Sequence, residues 1–216
     1  MSKPLIIGLT GGIGVGKSSV ASALASYGAE VIDVDGLGRE VLEPGGAAHD
    51  AVLLAFGDTV RAAEGGIDRQ ALAAEVFGPG QRLDELEAIS HPAINSLLGE
   101  RVGASSAEII VLDMAVLAES QLARTASGPL YQRVVVVEAP LAMRLPRLVA
   151  RGMTVAQAEQ RMAAQAGEDE RRVLADLVIT NDSTLVDLED RIAWAWPTVE
   201  AWKAQASALS VGQRQR

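Results

Sequence analysis

The stretch "GLTGGIGVGKSS", residues 8–19, decides the fold. Within it Gly11–Ser18 fits the spacing G-x-x-x-x-G-K-[ST]. It stands between an apolar run, Leu5–Leu9, and a segment, Lys17–Tyr27, whose apolar residues recur at helical spacing. Strand, loop and helix in that order make a cradle for a phosphate chain. Gly11, Gly12, Gly14 and Gly16, with Ile13 and Val15 between them, let backbone N–H groups converge on phosphate oxygens, and the helix N-terminus adds partial positive charge. Lys17 is expected to put a point charge on the β and γ phosphates, the Ser18 hydroxyl to ligate Mg²⁺, and Ser19 to support the α-phosphate side. A glycine-rich turn without a ligand is the plainer alternative, and the agreement of strand, spacing and helix argues against it. The motif selects a superfamily and leaves the reaction open between hydrolysis, as in a switch or motor, and phosphoryl transfer.

Composition narrows the class. The chain has 216 residues, long enough for one sizeable core with inserted subdomains, and one domain is the working expectation. Hydrophobic residues make up 49% and charged residues 22%, as in soluble globular proteins. The net charge of -9 and the small aromatic set of two Phe, two Tyr and three Trp argue against a nucleic-acid binder, which needs a basic face or a stacking platform. With no cysteine there is no disulfide and no thiolate metal site, which fits a reducing cytoplasm, and His49 and His91 are too few for a His-rich zinc site. No segment reads as a leader or a membrane span, so no membrane partner is expected.

Beyond the cradle, a second short strand at Val31-Ile32 stops at Asp33-Val-Asp35. Residues 36–102 carry short helical patterns broken by "EPGG", "AAEGG" and "GPGQ", and read as a helical insertion. Strand patterns return at Ile109–Leu112, ending in Asp113, at Val134–Val137 and at Leu177–Thr180. Helices are expected over 141–151 and 154–165, hinged at Arg151-Gly-Met-Thr154 with Thr154 as N-cap, and over 184–206, where Pro197 should kink or restart the helix. Trp194, Trp196 and Trp202 on that last helix are expected in the core, and the tail "SVGQRQR", residues 210–216, is polar and expected to fray. Strands alternating with helices imply a parallel sheet covered on both faces.

Transfer needs a carboxylate beside the acceptor hydroxyl and arginines around the migrating charge. Asp33 and Asp35 lie at a strand end that a doubly wound sheet brings to the crevice near the cradle, and alternation along an extended chain would send both side chains to one side. Capping of the next helix is the simpler use of either. Arg144, Arg147 and Arg151 recur at spacings of three and four, forming one helix face, followed by Arg161, Arg171 and Arg172. Such a run is ordinarily a solvated face, but arginine's planar fork also suits phosphate clamping by a mobile helical pair. Pro146 inside this run removes a backbone donor.

These residues together resemble the bacterial dephospho-coenzyme A kinase family. The likeness covers most of the chain, through "GLTGGIGVGKSS", "VIDVDGLGREVLEPGGAA", "ISHPAI", "VLDMAVLAES", "RVVVVEAP" and "ERRVLADLVITND". It implies a P-loop NTPase fold with a five-stranded parallel sheet flanked by helices, like that of nucleoside monophosphate kinases. The implied parts are a core of about 1–40, 103–140 and 171–216, a helical coenzyme-binding insertion of about 41–102 and a lid of about 141–170. The implied reaction passes the ATP γ-phosphoryl, with Mg²⁺, to the ribose 3'-hydroxyl of dephospho-coenzyme A, the last step of coenzyme A synthesis. Asp35 then becomes the base or orienter of that hydroxyl and Asp33 a support for substrate or magnesium, with Arg39, His91 and Glu119 on the substrate side. Arg147 becomes a catalytic and ATP-side arginine of the lid, Arg144 and Arg151 lie with it there, and Asn181 is placed beside the adenine. His91 could also be simply a histidine at a helix start. Two departures are visible: Ala115 stands where the family commonly has proline, and Arg151-Gly152 lacks an intervening acidic or amide residue.

Two other readings compete. Another P-loop kinase, for a nucleoside monophosphate or a sugar, would share the cradle, although Asp-x-Asp and the long insertion favour a bulkier acceptor. A nucleotide-dependent switch is opposed by the lack of an N-K-x-D segment, despite a formal D-x-x-G at Asp33–Gly36.

Overall fold

The computed structural model describes residues 3–78 and 81–213, with side chains as far as Ala208. Five strands form one parallel sheet: β1 (Leu5–Gly11), β2 (Glu30–Asp33), β3 (Ile109–Asp113), β4 (Arg133–Glu138) and β5 (Leu177–Thr180). Their spatial order is β2-β3-β1-β4-β5. β1 is buried along its whole length, as are Ile109–Leu112 and Val134–Glu138, because a central parallel strand is covered on both faces. Register places Leu9 opposite Asp113 on one side and Val135 on the other. Strand order reverses about β1, so its carboxyl end opens at the topological switch point where doubly wound sheets hold ligands. The sheet is the one expected.

The helices are α1 (Lys17–Ser26), α2 (Val34–Glu40), α3 (His49–Phe56), α4 (Arg69–Phe77), α5 (Leu83–Ala104), α6 (Leu141–Ala150), α7 (Val155–Ala163), α8 (Glu168–Leu174) and α9 (Leu185–Gln213). The chain folds as two compact units. One runs up to Asp33, resumes over Ser105–Ser120 and continues from Ser127; the other comprises Val34–Ala104 and Gln121–Ala126. In the first, α1 and α9 cover one sheet face, where Val20, Leu24, Leu188, Ile192 and Val199 close on Ile7, Leu9, Val111 and Val137. In the second, Val52, Leu53, Phe56, Val60, Leu72 and Val76 form a core of their own.

Four local expectations are corrected. The second strand ends at Asp33 and Val34 opens α2, so Asp35 lies in a helical first turn and strand alternation does not relate its side chain to that of Asp33. Of the kink or restart expected at Pro197 the restart does not occur: α9 runs through the proline, and buried Ala195 and Val199 hold it on either side. Ile192, Ala195 and Val199 set the inward stripe of α9 at spacings of three and four, which turns Trp194 outward to 83% exposure. His91 sits in the middle of α5 and not at a helix start. Pro79 and Gly80 of the "GPGQ" break and the last three residues of the polar tail lie outside the described residues; ahead of the latter α9 continues to Gln213.

Candidate active site

The loop leaving β1 needs glycine at two positions in particular. Gly14 and Gly16 adopt φ of 83° and 93°, left-handed values that side chains resist. Gly16 is also the N-cap of α1 and its carbonyl accepts from Ser19 N–H at 3.0 Å, so the helix starts immediately under the loop. Ser18 and Ser19 are exposed on its first turn. Lys17 Nζ forms an ion pair with the Asp113 carboxylate at the end of β3, both side chains being 15% exposed. Asp33, at the end of β2, is register-paired with Asp113. The carboxyl ends of three neighbouring strands therefore carry the loop, Asp113 and Asp33 side by side.

Behind the loop lies a layer of polar side chains from α6, α8 and the residues after β5. Arg144 is 7% exposed; its Nε donates to Ile13 O at 3.0 Å and its Nη1 to Glu168 Oε1 at 3.1 Å. Burial pushes this guanidinium below arginine's ordinary range, a shift opposed by Glu168 and reinforced by Arg171. Arg147 Nη1 donates to Gly14 O and Val15 O at 3.4 Å, and its Nη2 to Asn181 Oδ1 at 3.2 Å. Asn181 is 6% exposed and its Nδ2 donates to Val15 O at 2.8 Å. Gln165 Oε1 accepts from Ile13 N–H at 2.8 Å.

Other expected site residues have different surroundings. Glu119 Oε1 accepts from Ala166 N–H at 2.7 Å and from Arg171 Nη2 at 3.4 Å. Arg172 forks onto both Glu138 oxygens at 2.7 and 2.6 Å, and that carboxylate raises the arginine's pKa. Arg151 is exposed at the C-cap of α6. In the second unit, Asp35 is half-buried in the first turn of α2 and Arg39 exposed in its last, while His91 Nε2 lies 3.9 Å from Glu87 Oε1 along α5. Of the predicted set, the loop, Lys17, Arg144, Arg147 and Asn181 come together as one constellation.

Sequence reasoning missed Asp113 as Lys17's partner and Gln165 altogether. For Asp113 a signal existed: an acidic residue ending a buried strand next to a phosphate loop. Gln165 had none, since nothing local to "AAQAG" points 152 residues back to Ile13.

Among the described residues no group of three or more His, Cys, Asp or Glu could hold a metal by itself. The hard oxygens present, the Ser18 hydroxyl and the Asp113 and Asp33 carboxylates, suit Mg²⁺, which binds through one or two carboxylates, water and substrate phosphates. Among the described residues no helix is long and apolar enough to cross a membrane.

A family model described as dephospho-CoA kinase matches residues 5–187. Proteins named dephospho-CoA kinase from Streptomyces avermitilis and Thermobifida fusca are 44% and 41% identical, over 89% and 91% of this chain and 92% and 96% of their own. A crystal structure of a Thermus thermophilus protein, 34% identical, superposes with a TM-score of 0.78 over 91% of this chain and 97% of that one. These likenesses decide between the readings the loop left open. The chain belongs to the dephospho-CoA kinase family, and is an ATP-dependent kinase.

Proposed function

We propose that the chain transfers the γ-phosphoryl of ATP to the ribose 3'-hydroxyl of dephospho-coenzyme A, in the cytoplasm, as the final step of coenzyme A synthesis. One observation carries the reading: a phosphate loop at the switch point whose Lys17 is paired with the Asp113 carboxylate, with Asp33 on the adjoining strand end. Gly11–Ser19 hold the triphosphate, and Arg147 and Asn181 serve the ATP side. Asp33, Arg39, His91 and Glu119 serve the acceptor, with Arg144 and Arg151 on the lid helices.

In the reaction the acceptor oxygen forms a bond to the γ-phosphorus while the bond from that phosphorus to the β,γ-bridging oxygen breaks. ADP leaves with the electron pair, and the hydroxyl proton passes to the Asp35 carboxylate. Because the transition state is loose, orientation by Asp35 contributes along with proton removal. Lys17 neutralises charge as it moves toward the bridging oxygen, and Arg147 adds a second cation. Ser18 and the Asp113 carboxylate would hold Mg²⁺, which, when bound, neutralises the β and γ oxygens.

The test is an acceptor panel with Mg·ATP, read by ADP release and product mass. Dephospho-coenzyme A should be phosphorylated far faster than AMP, CMP or gluconate. ADP release no greater than in the absence of an acceptor would overturn the substrate assignment.

A further inference from the structure

Three consecutive carbonyls of the phosphate loop each have a donor behind them. Ile13 O accepts from Arg144 at 3.0 Å, Gly14 O from Arg147 at 3.4 Å, and Val15 O from Asn181 at 2.8 Å as well as from Arg147. Arg144 and Asn181 are more than nine-tenths buried, and in such low-dielectric surroundings hydrogen bonds strengthen. The donors are themselves braced, Arg144 by Glu168 at 3.1 Å and Arg147 by Asn181 Oδ1 at 3.2 Å.

Across a trans peptide the C=O of one residue and the N–H of the next point in opposite directions, and the described residues contain no cis bond. Holding the Ile13 carbonyl toward Arg144 therefore turns the Gly14 N–H to the other side of the loop. Holding the Val15 carbonyl toward Asn181 does the same for the Gly16 N–H. The left-handed φ values of Gly14 and Gly16 fall at these two peptides, and left-handed turns are what let loop amides converge on an anion.

We propose that Arg144 and Asn181, with Arg147 on the carbonyl between theirs, are positioning residues: a clamp on the loop's carbonyls that aims the Gly14 and Gly16 amides at the phosphates before the nucleotide arrives. The proposal rests on reading residues 11–18 as the seat of a triphosphate, and it gives Asn181 a task on the loop and not on the base. A pre-aimed loop binds a polyanion without first reorganising, which is how fixed dipoles come to favour developing charge.

Calorimetric titration of the full chain with inorganic tripolyphosphate, and separately with adenosine, tests the clamp. Arg144→Met and Asn181→Asp, the latter isosteric but with an oxygen facing the Val15 carbonyl, should each weaken tripolyphosphate binding about tenfold, the scale of one hydrogen bond from a charged or buried donor. Adenosine binding should not change, and Arg144→Lys, which keeps a donor for Ile13, should recover most of the loss. A tripolyphosphate affinity within about twofold of wild type in either variant overturns the proposal, since one lost bond of this kind exceeds that. So does an Arg144→Lys protein no better than Arg144→Met. Loss of adenosine binding in Asn181→Asp with tripolyphosphate binding intact would instead assign Asn181 to the base. If circular dichroism shows Asn181→Asp unfolded, Asn181→Ser, too short to reach Val15, takes its place with the same expectations. Tripolyphosphate carries no acceptor hydroxyl and its titration includes no ATP, so a failed acceptor panel would leave this result standing.

Discussion

A methyl group at position 16 would meet the Asn181 amide nitrogen and would sit on a backbone with φ of 93°. Gly16→Ala should therefore lower ATP affinity by about tenfold or more, through strain of roughly 1–3 kcal/mol, checked by equilibrium binding. Lys17→Ala should reduce kcat by about 10² or more, as removal of a strong electrostatic contribution does. Unchanged kinetics would remove the lysine from the mechanism. Asp35→Asn should depress turnover by about 10² while leaving ATP binding intact, the range of a lost general base. Turnover near wild type would remove Asp35 from the reaction. The loop itself, with Lys17 and Ser18 opening the helix that follows it, was legible because strand, spacing and helix are local patterns. The partners of Arg144 and Asn181 were not: they lie 131 and 166 residues away in the chain, and no periodicity encodes a bond of that span.

Two helices start on reciprocal caps, of which the sequence reading named the one at Thr154. Thr154 Oγ1 accepts from Gln157 N–H at 3.2 Å while Gln157 Oε1 accepts from Thr154 N–H at 2.9 Å, as the hinge before α7 suggested. Thr154→Ala should lower stability by about 1 kcal/mol, measured by urea denaturation. At α9, Asp187 accepts from the hydroxyls of Ser183 and Thr184 and from the Thr184 N–H, and these bonds, led by that from Ser183, hold its carboxyl below the usual carboxylate range. The native group thus keeps its charge to lower pH than the unfolded one. Its stabilisation is complete above the ordinary carboxylate value of about 4 and is lost as pH falls through the lower native value. The stability profile of Asp187→Asn should consequently be flatter than wild type below about pH 4, read from urea midpoints across pH. Pro197 was the proline expected to kink or restart its helix. Pro92, Pro146 and Pro197 all lie inside helices, where buried Ile94, Leu148 and Val199 keep each helix seated beyond the break. Local chemistry foretells a broken ladder, and packing decides whether the helix stops.

For the whole molecule, the sheet was legible because buried parallel strands are near-continuous apolar runs. The division at Val34 was not, because one residue separates an extended Asp33 from a helical Asp35 and the sequence "VIDVDG" suits either continuation. Stability should be graded outward from β1. Amide exchange at Ile7 and Leu9, both 0% exposed, is expected to require global unfolding, while Val178 on edge strand β5, at 39% exposure, should exchange through smaller openings. The outward turn of Trp194 has an optical consequence. Trp196 stacks on Tyr27 with ring centroids 5.0 Å apart, Trp202 lies under the Arg133 guanidinium at 5.6 Å, and only Trp194 of the three is freely bathed by solvent. Iodide should quench one indole and spare two. Since Tyr27 closes the helix that the phosphate loop opens, the shielded emission of Trp196 makes a built-in gauge of how far nucleotide binding disturbs α1.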